Sequence, residues 1–244
     1  MGCPDFWGVA GYPISHSLPP RLFEIVGSAL GFEGVKTVFL EAGSAEDFLE
    51  RASELDGDLW ISCTSPLKNS VCKKLGIEVH SDLEAVNQVT RVAGRWEGGN
   101  TDGEGFVIAC RHTLLDPEGR TLEMKGGGST ARSIALSWTE CGGKLSLLQG
   151  RRVLSDGPWM KSIAGEGVVP DVSIDTDVSP GTVLKMEGAL GRSLSLSYDE
   201  SSSAGDFGVV MLVAQHLEAW RAIFSPHQTE LLPSLDSLLI DLFQ

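Results

Sequence analysis

The 244-residue chain is 42% hydrophobic and carries a formal net charge of −14, with a sequence pI of about 4.7. Such a chain can bury one large core or two modest ones. Its acidity argues against an extended phosphate-tracking surface, and so against nonspecific nucleic-acid binding. Any anionic ligand has to be held by locally placed cations and hydrogen-bond donors. Cys3, Cys63, Cys72, Cys110 and Cys141 form an odd set without a CxxC pair, the pattern of thiols in a reducing cytoplasm. The opening MGCPDFWGVAGY has no basic n-region and puts Phe6 where an acylation signal needs Ser or Thr. No stretch approaches the roughly 18 apolar residues of a spanning helix, so neither export nor a membrane is expected. His16, His80, His112, His216 and His227 have no metal-ligand spacing, and no metal is expected.

Along the chain, FWGVA, KTVFLE and DLWISC read as strands, and LPPRLFEIVGSAL, AEDFLERASEL and SPLKNSVCKKL as helices. This βαβαβα alternation predicts an α/β fold with a mostly parallel sheet covered by helices and ligand loops at the carboxyl ends of the strands. GYPISHSLPP and CTSPLK each follow a strand and open a helix. The two loops should therefore lie side by side although they are distant in sequence.

Glycine becomes frequent through EAVNQVTRVAGRWEGGNTDGEGF, and a domain junction is placed near residue 102. RTLEMKGGGSTARSIALSWTECGGKLSLLQGRR then supplies strand, glycine turn, helix and strand. Gly126, Gly128 and Ala131 stand in a GxGxxA arrangement, which lets backbone N–H groups and a helix N-terminus approach a pyrophosphate. At the end of the second strand, where an acidic residue would select a free ribose hydroxyl, the chain has Gln149, Gly150, Arg151 and Arg152. Two adjacent arginines favour a dinucleotide with a 2′-phosphate, NADP. TELLPSLDSLLIDLF has helical period and packs back on the first domain or serves a dimer, so monomer and homodimer both stay open. The expected domains are 1–102, a substrate domain; 103–222, a Rossmann-like dinucleotide domain; and 223–244, a returning helix.

Taken together, these residues resemble the shikimate dehydrogenases of aromatic amino-acid biosynthesis. Ser15-His16-Ser17 with Leu18 and Pro20 is similar to that family's SHSLSP loop, and Thr64 to Lys68 to its NVTxPxK segment. Val86-Asn87 is similar to its AVNT turn, and Asn100 to Gly103 with Gly105-Phe106 to its NTDGxGF block. Further on, Gly126 to Arg132 resembles the GAGGAAR cofactor loop, Tyr198 the strand-end tyrosine, and Gly208, Met211, Leu212 and Gln215 the GxxMLxxQ helix. The blocks stand in the family's order.

The resemblance implies two α/β domains around a cleft and reversible hydride transfer between NADPH and 3-dehydroshikimate, giving shikimate. It implies Lys68 and Asp102 as the proton-transfer pair, with Lys68 stabilising and protonating the developing alkoxide and Asp102 orienting it. Ser15, Ser17, Thr64, Asn87, Tyr198 and Gln215 join them as substrate residues. Gly126, Gly127, Gly128, Ser129, Thr130, Gln149, Arg151, Arg152 and Gly208 are the implied cofactor residues. Ser15 and Ser17, two apart on an extended loop, can face one way and clamp a carboxylate, whereas His16 points away from both.

Several positions depart from the pattern. The family's asparagine before the lysine is Ser62, its HN pair is Phe23-Glu24, and its threonine after Asn87 is Gln88. The NRT motif appears as Gln149-Gly150-Arg151, and NATS as IDTD with Asp175 and Asp177. The helix that usually follows the tyrosine is absent, so the cofactor lobe is shortened. These departures support two alternatives: a shikimate-binding homologue with weakened cofactor use, and a dehydrogenase that takes quinate or NAD.

Overall fold

The structure is a computed structural model that describes residues 2–15, 17–80, 82–178, 191–199 and 201–244. The chain separates into two compact units, Met1–Thr101 with His216–Gln244, and Asp102–Gln215.

The first unit opens with strand β1 (Phe6–Gly11) and helix α1 (Pro19–Ala29), whose two leading prolines sit in the first turn, where no N–H is needed. Strand β2 (Lys36–Glu41) is followed by α2 (Ala45–Ser53). Ser44 caps α2 by accepting the Asp47 N–H at 3.1 Å, and Glu46 and Asp47 complement the dipole in its first turn. Strand β3 (Leu59–Cys63) leads to α3 (Leu67–Leu75), which ends on Gly76 at φ 63°. Strands β4 (Gln88–Val92) and β5 (Arg95–Gly99) form a hairpin around Ala93-Gly94, with φ of 48° and 79° as a two-residue turn of this hand requires.

The sheet order is β2-β1-β3-β4-β5. β1 pairs parallel with β2 and β3, while β3/β4 and β4/β5 are antiparallel. The sheet is thus mixed rather than mostly parallel. The correction comes from the hairpin, whose strands need no crossover helix. Ala10, Leu40, Phe48, Ile61, Val71 and Val89 are buried together in one hydrophobic core. An aromatic cluster packs elsewhere in this unit: Trp7 stacks on Phe23 at 5.9 Å, Trp60 on Phe224 at 5.2 Å, and Trp220 stands edge-on to Trp60 at 5.5 Å.

The second unit begins with α4 (Asp102–His112). Strand β6 (Thr121–Lys125), helix α5 (Ser129–Glu140) and strand β7 (Lys144–Leu148) form the expected βαβ unit. Strands β8 (Val172–Asp175) and β9 (Arg192–Leu194) complete a parallel sheet of order β7-β6-β8-β9. Helix α6 (Phe207–Ala219) continues into a π-helical turn, Trp220–Phe224, and the chain closes with α7 (Leu235–Leu242). Arg21 ties α7 to α1 by donating to the Asp241 carbonyl at 3.3 Å.

The sequence places the returning segment at 223, whereas the chain joins the first unit from His216 onward. The reason is aromatic: Trp220 and Phe224 belong to the cluster around Trp7, Phe23 and Trp60. Residues Phe207–Phe224 are also, against expectation, long and apolar enough to cross a bilayer by length and composition. With 67% of that segment buried inside the protein, it reads as a core helix.

Two glycines of the NTDGEGF block have packing reasons. A Cβ on Gly103 would stand 2.1 Å from the Ser133 carbonyl oxygen of α5, and its N–H donates to Ser133 Oγ at 2.8 Å. A Cβ on Gly105 would stand 2.4 Å from Gln215 Cβ on α6. Helix α4 therefore lies against α5 and α6 at backbone distance, with Phe106 between Trp138 and Phe207 at 5.9 and 5.6 Å. Gly103→Ala should destabilise the protein by about 1–3 kcal/mol, as overpacking does; the urea midpoint reads this, and an unchanged midpoint refutes the close packing.

Candidate functional site

In the first unit the two loops expected at one edge do meet. Tyr12 N–H donates to the Ser65 carbonyl at 3.0 Å, and Thr64 N–H to the Ala10 carbonyl at 2.9 Å. Gly11, at φ 153°, permits the contact, since a Cβ there would stand 2.4 Å from Thr64 Cγ2 and 2.9 Å from the Ser65 oxygen. Thr64 accepts the Leu67 N–H at 2.9 Å and starts α3, which puts Lys68 in that helix's first turn. A cation there opposes the helix dipole, so helix stability does not account for its placement. The Lys68 carbonyl accepts the Val86 N–H at 2.9 Å, which brings the Val86-Asn87 segment alongside.

Asn87 is 1% exposed and grips Thr101 twice. Its Oδ1 accepts the Thr101 N–H at 2.9 Å, and its Nδ2 donates to Thr101 Oγ1 at 3.2 Å. Thr64, Lys68 and Asn87 therefore gather at the carboxyl end of β3. Ser15 is exposed and Ser17 half-buried. Ser17 N–H donates to the Ile14 carbonyl at 3.0 Å, closing a turn. The loop is therefore turned rather than extended here, and alternation along an extended strand does not make Ser15 and Ser17 face one way. His16 lies outside the described residues.

Cys63, next to Thr64, has its thiol pushed up to about 12 by burial, against the opposing pull of the Lys68 cation. Burial also pushes the Cys110 thiol on α4 up to about 12.

Three of the positions that depart from the family pattern gather around a residue that sequence reasoning treated as unremarkable. His216 Nε2 lies 3.2 Å from Ser62 Oγ, and Phe23 stands edge-on to the imidazole at 5.5 Å. Ser62 pairs in register with Gln88, whose buried side-chain amide has no hydrogen-bond partner. The available signal for His216 was its place directly after Gln215.

In the second unit Asp102 heads α4, is 1% exposed, and accepts from Thr130 Oγ1 at 3.0 Å. Thr130 lies in the first turn of α5, so the loop expected to hold a cofactor is hydrogen-bonded to the carboxylate expected to work on substrate. The glycine turn behaves as its composition requires. Gly126 has φ 105°, and a Cβ on Gly127 would stand 2.2 Å from the Val153 carbonyl oxygen. Gly128 caps α5 without a side-chain hydrogen bond, and Ser129 begins the helix, leaving its first N–H groups to a ligand.

The two arginines are not equivalent. Arg152 faces the turn, its guanidinium 3.0 Å from where a Gly128 Cβ would be. Arg151 is engaged within the chain: its N–H donates to Asp177 Oδ2 and its Nη2 to the Asp177 carbonyl, both at 2.5 Å. Asp175 pairs with Lys125 at 2.9 Å. Gln149 is exposed at the end of β7. Gly208 packs α6 onto the segment before Tyr198, where a Cβ would stand 2.6 Å from the Ser197 oxygen. Gln215, half-buried, lies against Gly105. These residues fit a dinucleotide at the glycine turn and Arg152, with Asp177 as the discordant charge. Among the described residues no group of three or more His, Cys, Asp or Glu side chains could hold a metal ion.

No protein-family model matches the chain. Curated relatives are named shikimate dehydrogenase (NADP(+)). The protein from Methanopyrus kandleri is 33% identical over 151 residues, 60% of this chain and 51% of that protein. The protein from Xylella fastidiosa is 35% identical over 144 residues, 56% and 49% of the two. The chain thus spans about half the length of the curated relatives it matches. Among solved structures, shikimate 5-dehydrogenase from Thermus thermophilus, in complex with NADP(H) and shikimate, superposes with a TM-score of 0.73 over 98% of each chain at 23% identity. Shikimate dehydrogenase from Aquifex aeolicus gives 0.71 over 98% of each at 20% identity. The chain is similar in sequence to shikimate dehydrogenases and has their fold.

A thiol of pKa about 12 is about one part in ten thousand thiolate at pH 8. Labelling of native protein with a disulfide reagent at that pH should spare Cys63 and Cys110 until denaturant is added; prompt modification of either would show that it is not buried.

Proposed function

We propose that the chain is an NADPH-dependent oxidoreductase that interconverts 3-dehydroshikimate and shikimate. The observation that carries the reading is the gathering of Thr64, Lys68 and Asn87 at one strand end, in a chain similar to proteins of that activity. NADPH when bound supplies the hydride to the ring carbonyl carbon. The Lys68 ammonium offsets the charge growing on the carbonyl oxygen and gives it a proton; in the reverse direction it takes the proton back. Asp102 orients that lysine and a ring hydroxyl, and its bond to Thr130 fixes its own rotamer. Thr64, Asn87 and Gln215 hold ring hydroxyls, while Ser15, Ser17 and Tyr198 serve the substrate carboxylate. The glycine turn Gly126 to Gly128, Ser129 and Thr130 receive the pyrophosphate, and Gln149, Arg151, Arg152 and Gly208 complete the cofactor set. Five free cysteines support a reducing, cytoplasmic setting.

The engagement of Arg151 by Asp177 favours keeping a second reading, a shikimate-binding homologue with weak cofactor use. An absorbance assay at the nicotinamide band with shikimate and quinate against NADP and NAD separates the two. NADP-dependent oxidation of shikimate is expected, and no turnover with any pair refutes the enzyme. Lys68→Ala should lower kcat by at least about 100-fold with KM nearly unchanged; equal losses in binding and turnover would remove its proton-transfer role. Ser15→Ala should raise KM for shikimate about ten-fold through one lost hydrogen bond to a charged group, and an unchanged KM would exclude Ser15.

A further inference from the structure

The loop after β8 carries a carboxylate where an anion is expected to bind. Asp177 lies between the two glycines that flank the cofactor turn. A Cβ on Gly150 would stand 2.2 Å from Asp177 Oδ2 and 2.8 Å from Gly126 N, and one on Gly126 would stand 3.0 Å from Asp177 Oδ1. Neighbouring groups hold the segment in place: Asp177 N–H donates to Asp175 Oδ1 at 2.8 Å, and Thr176 Oγ1 to the Lys125 carbonyl at 3.0 Å. Oδ2 receives the Arg151 N–H, whereas Oδ1 is buried without a hydrogen-bond partner. Among the described residues no ion pair neutralises this carboxylate. Lys125 is paired with Asp175, and the Arg151 guanidinium bonds the Asp177 main chain instead.

We propose that Asp177 limits dinucleotide affinity by setting its negative charge against the cofactor's pyrophosphate at the glycine turn. This rests on the dinucleotide reading of that turn. Glycines at 126 and 150 give a ligand backbone access to the turn, yet the same missing side chains admit the Asp177 carboxylate. The carboxylate lies beside Gly126, so a pyrophosphate bound at that turn sits close to a like charge. The two negative groups repel in proportion to their proximity and to the dryness of the site. The pyrophosphate is common to NADPH and NADH, so the penalty falls on both alike.

The test is a fluorescence titration of the full chain with NADPH and with NADH, comparing wild type with Asp177→Asn. Asparagine keeps the size and the oxygen that accepts from Arg151 while removing the charge. Both dissociation constants should fall about ten-fold, and the gap from wild type should narrow in high salt as repulsion is screened. A purely structural role would not produce that salt dependence. Should the asparagine variant fail to fold by circular dichroism, Asp177→Ser removes the same charge and is held to the same expectation. Unchanged or weaker binding in the neutral variant overturns the proposal while leaving the dehydrogenase reading standing on wild-type turnover. A gain confined to NADPH also overturns it, since the charge would then act on the 2′-phosphate. No binding of either nucleotide by wild type or variants overturns both.

Discussion

In the first unit, the segment that carries Asn87 is fixed by the two-pronged bond between Asn87 and Thr101. Asn87 stands immediately before β4 and Thr101 two residues after β5, so the bond staples the open end of the hairpin. The neighbouring Val86 N–H is held by the Lys68 carbonyl, which ties the staple to the first turn of α3. Thr101 is also the last residue before α4, and Asp102 follows it by one peptide bond. A buried side-chain amide with both ends engaged is stiff, because releasing either end leaves an unsatisfied group in a dry interior. Lysine and asparagine thus share one local anchor.

Much of this organisation was legible because it rests on local rules. Strand-loop-helix alternation put GYPISHS and CTSPLK on one edge, and the backbone bonds between Tyr12 and Ser65 and between Thr64 and Ala10 are that edge. The GxGxxA turn lay where strand and helix periods said it should. The β4–β5 hairpin escaped because its turn is Ala93-Gly94, and an alanine at positive φ is not a turn signal. Without it the first sheet read as mostly parallel. The return at His216 escaped for a different reason. Aromatic residues of a helix declare that they will be buried, but composition does not say against which sheet.

The departures from the family pattern carry more information than the matches. Phe23, Ser62 and Gln88 lie apart in sequence with nothing there to connect them, yet two of them touch His216 and the third pairs with Ser62 across the sheet. They form one buried patch that differs from the pattern as a unit, which a residue-by-residue comparison of motifs hides. In the second unit Asp177 and Gly150 likewise make sense only jointly, since the missing side chain at 150 is what admits the carboxylate.

The division of the first unit into 1–101 and 216–244 has a consequence for how the protein is made. The second unit is synthesised between the two segments of the first. Until Trp220 and Phe224 emerge, Trp7, Phe23 and Trp60 lack those ring partners and their apolar faces stay open to water or to other chains. Contacts between residues this distant in sequence close late and slowly. Apolar surface left open in this way favours aggregation until the last segment arrives.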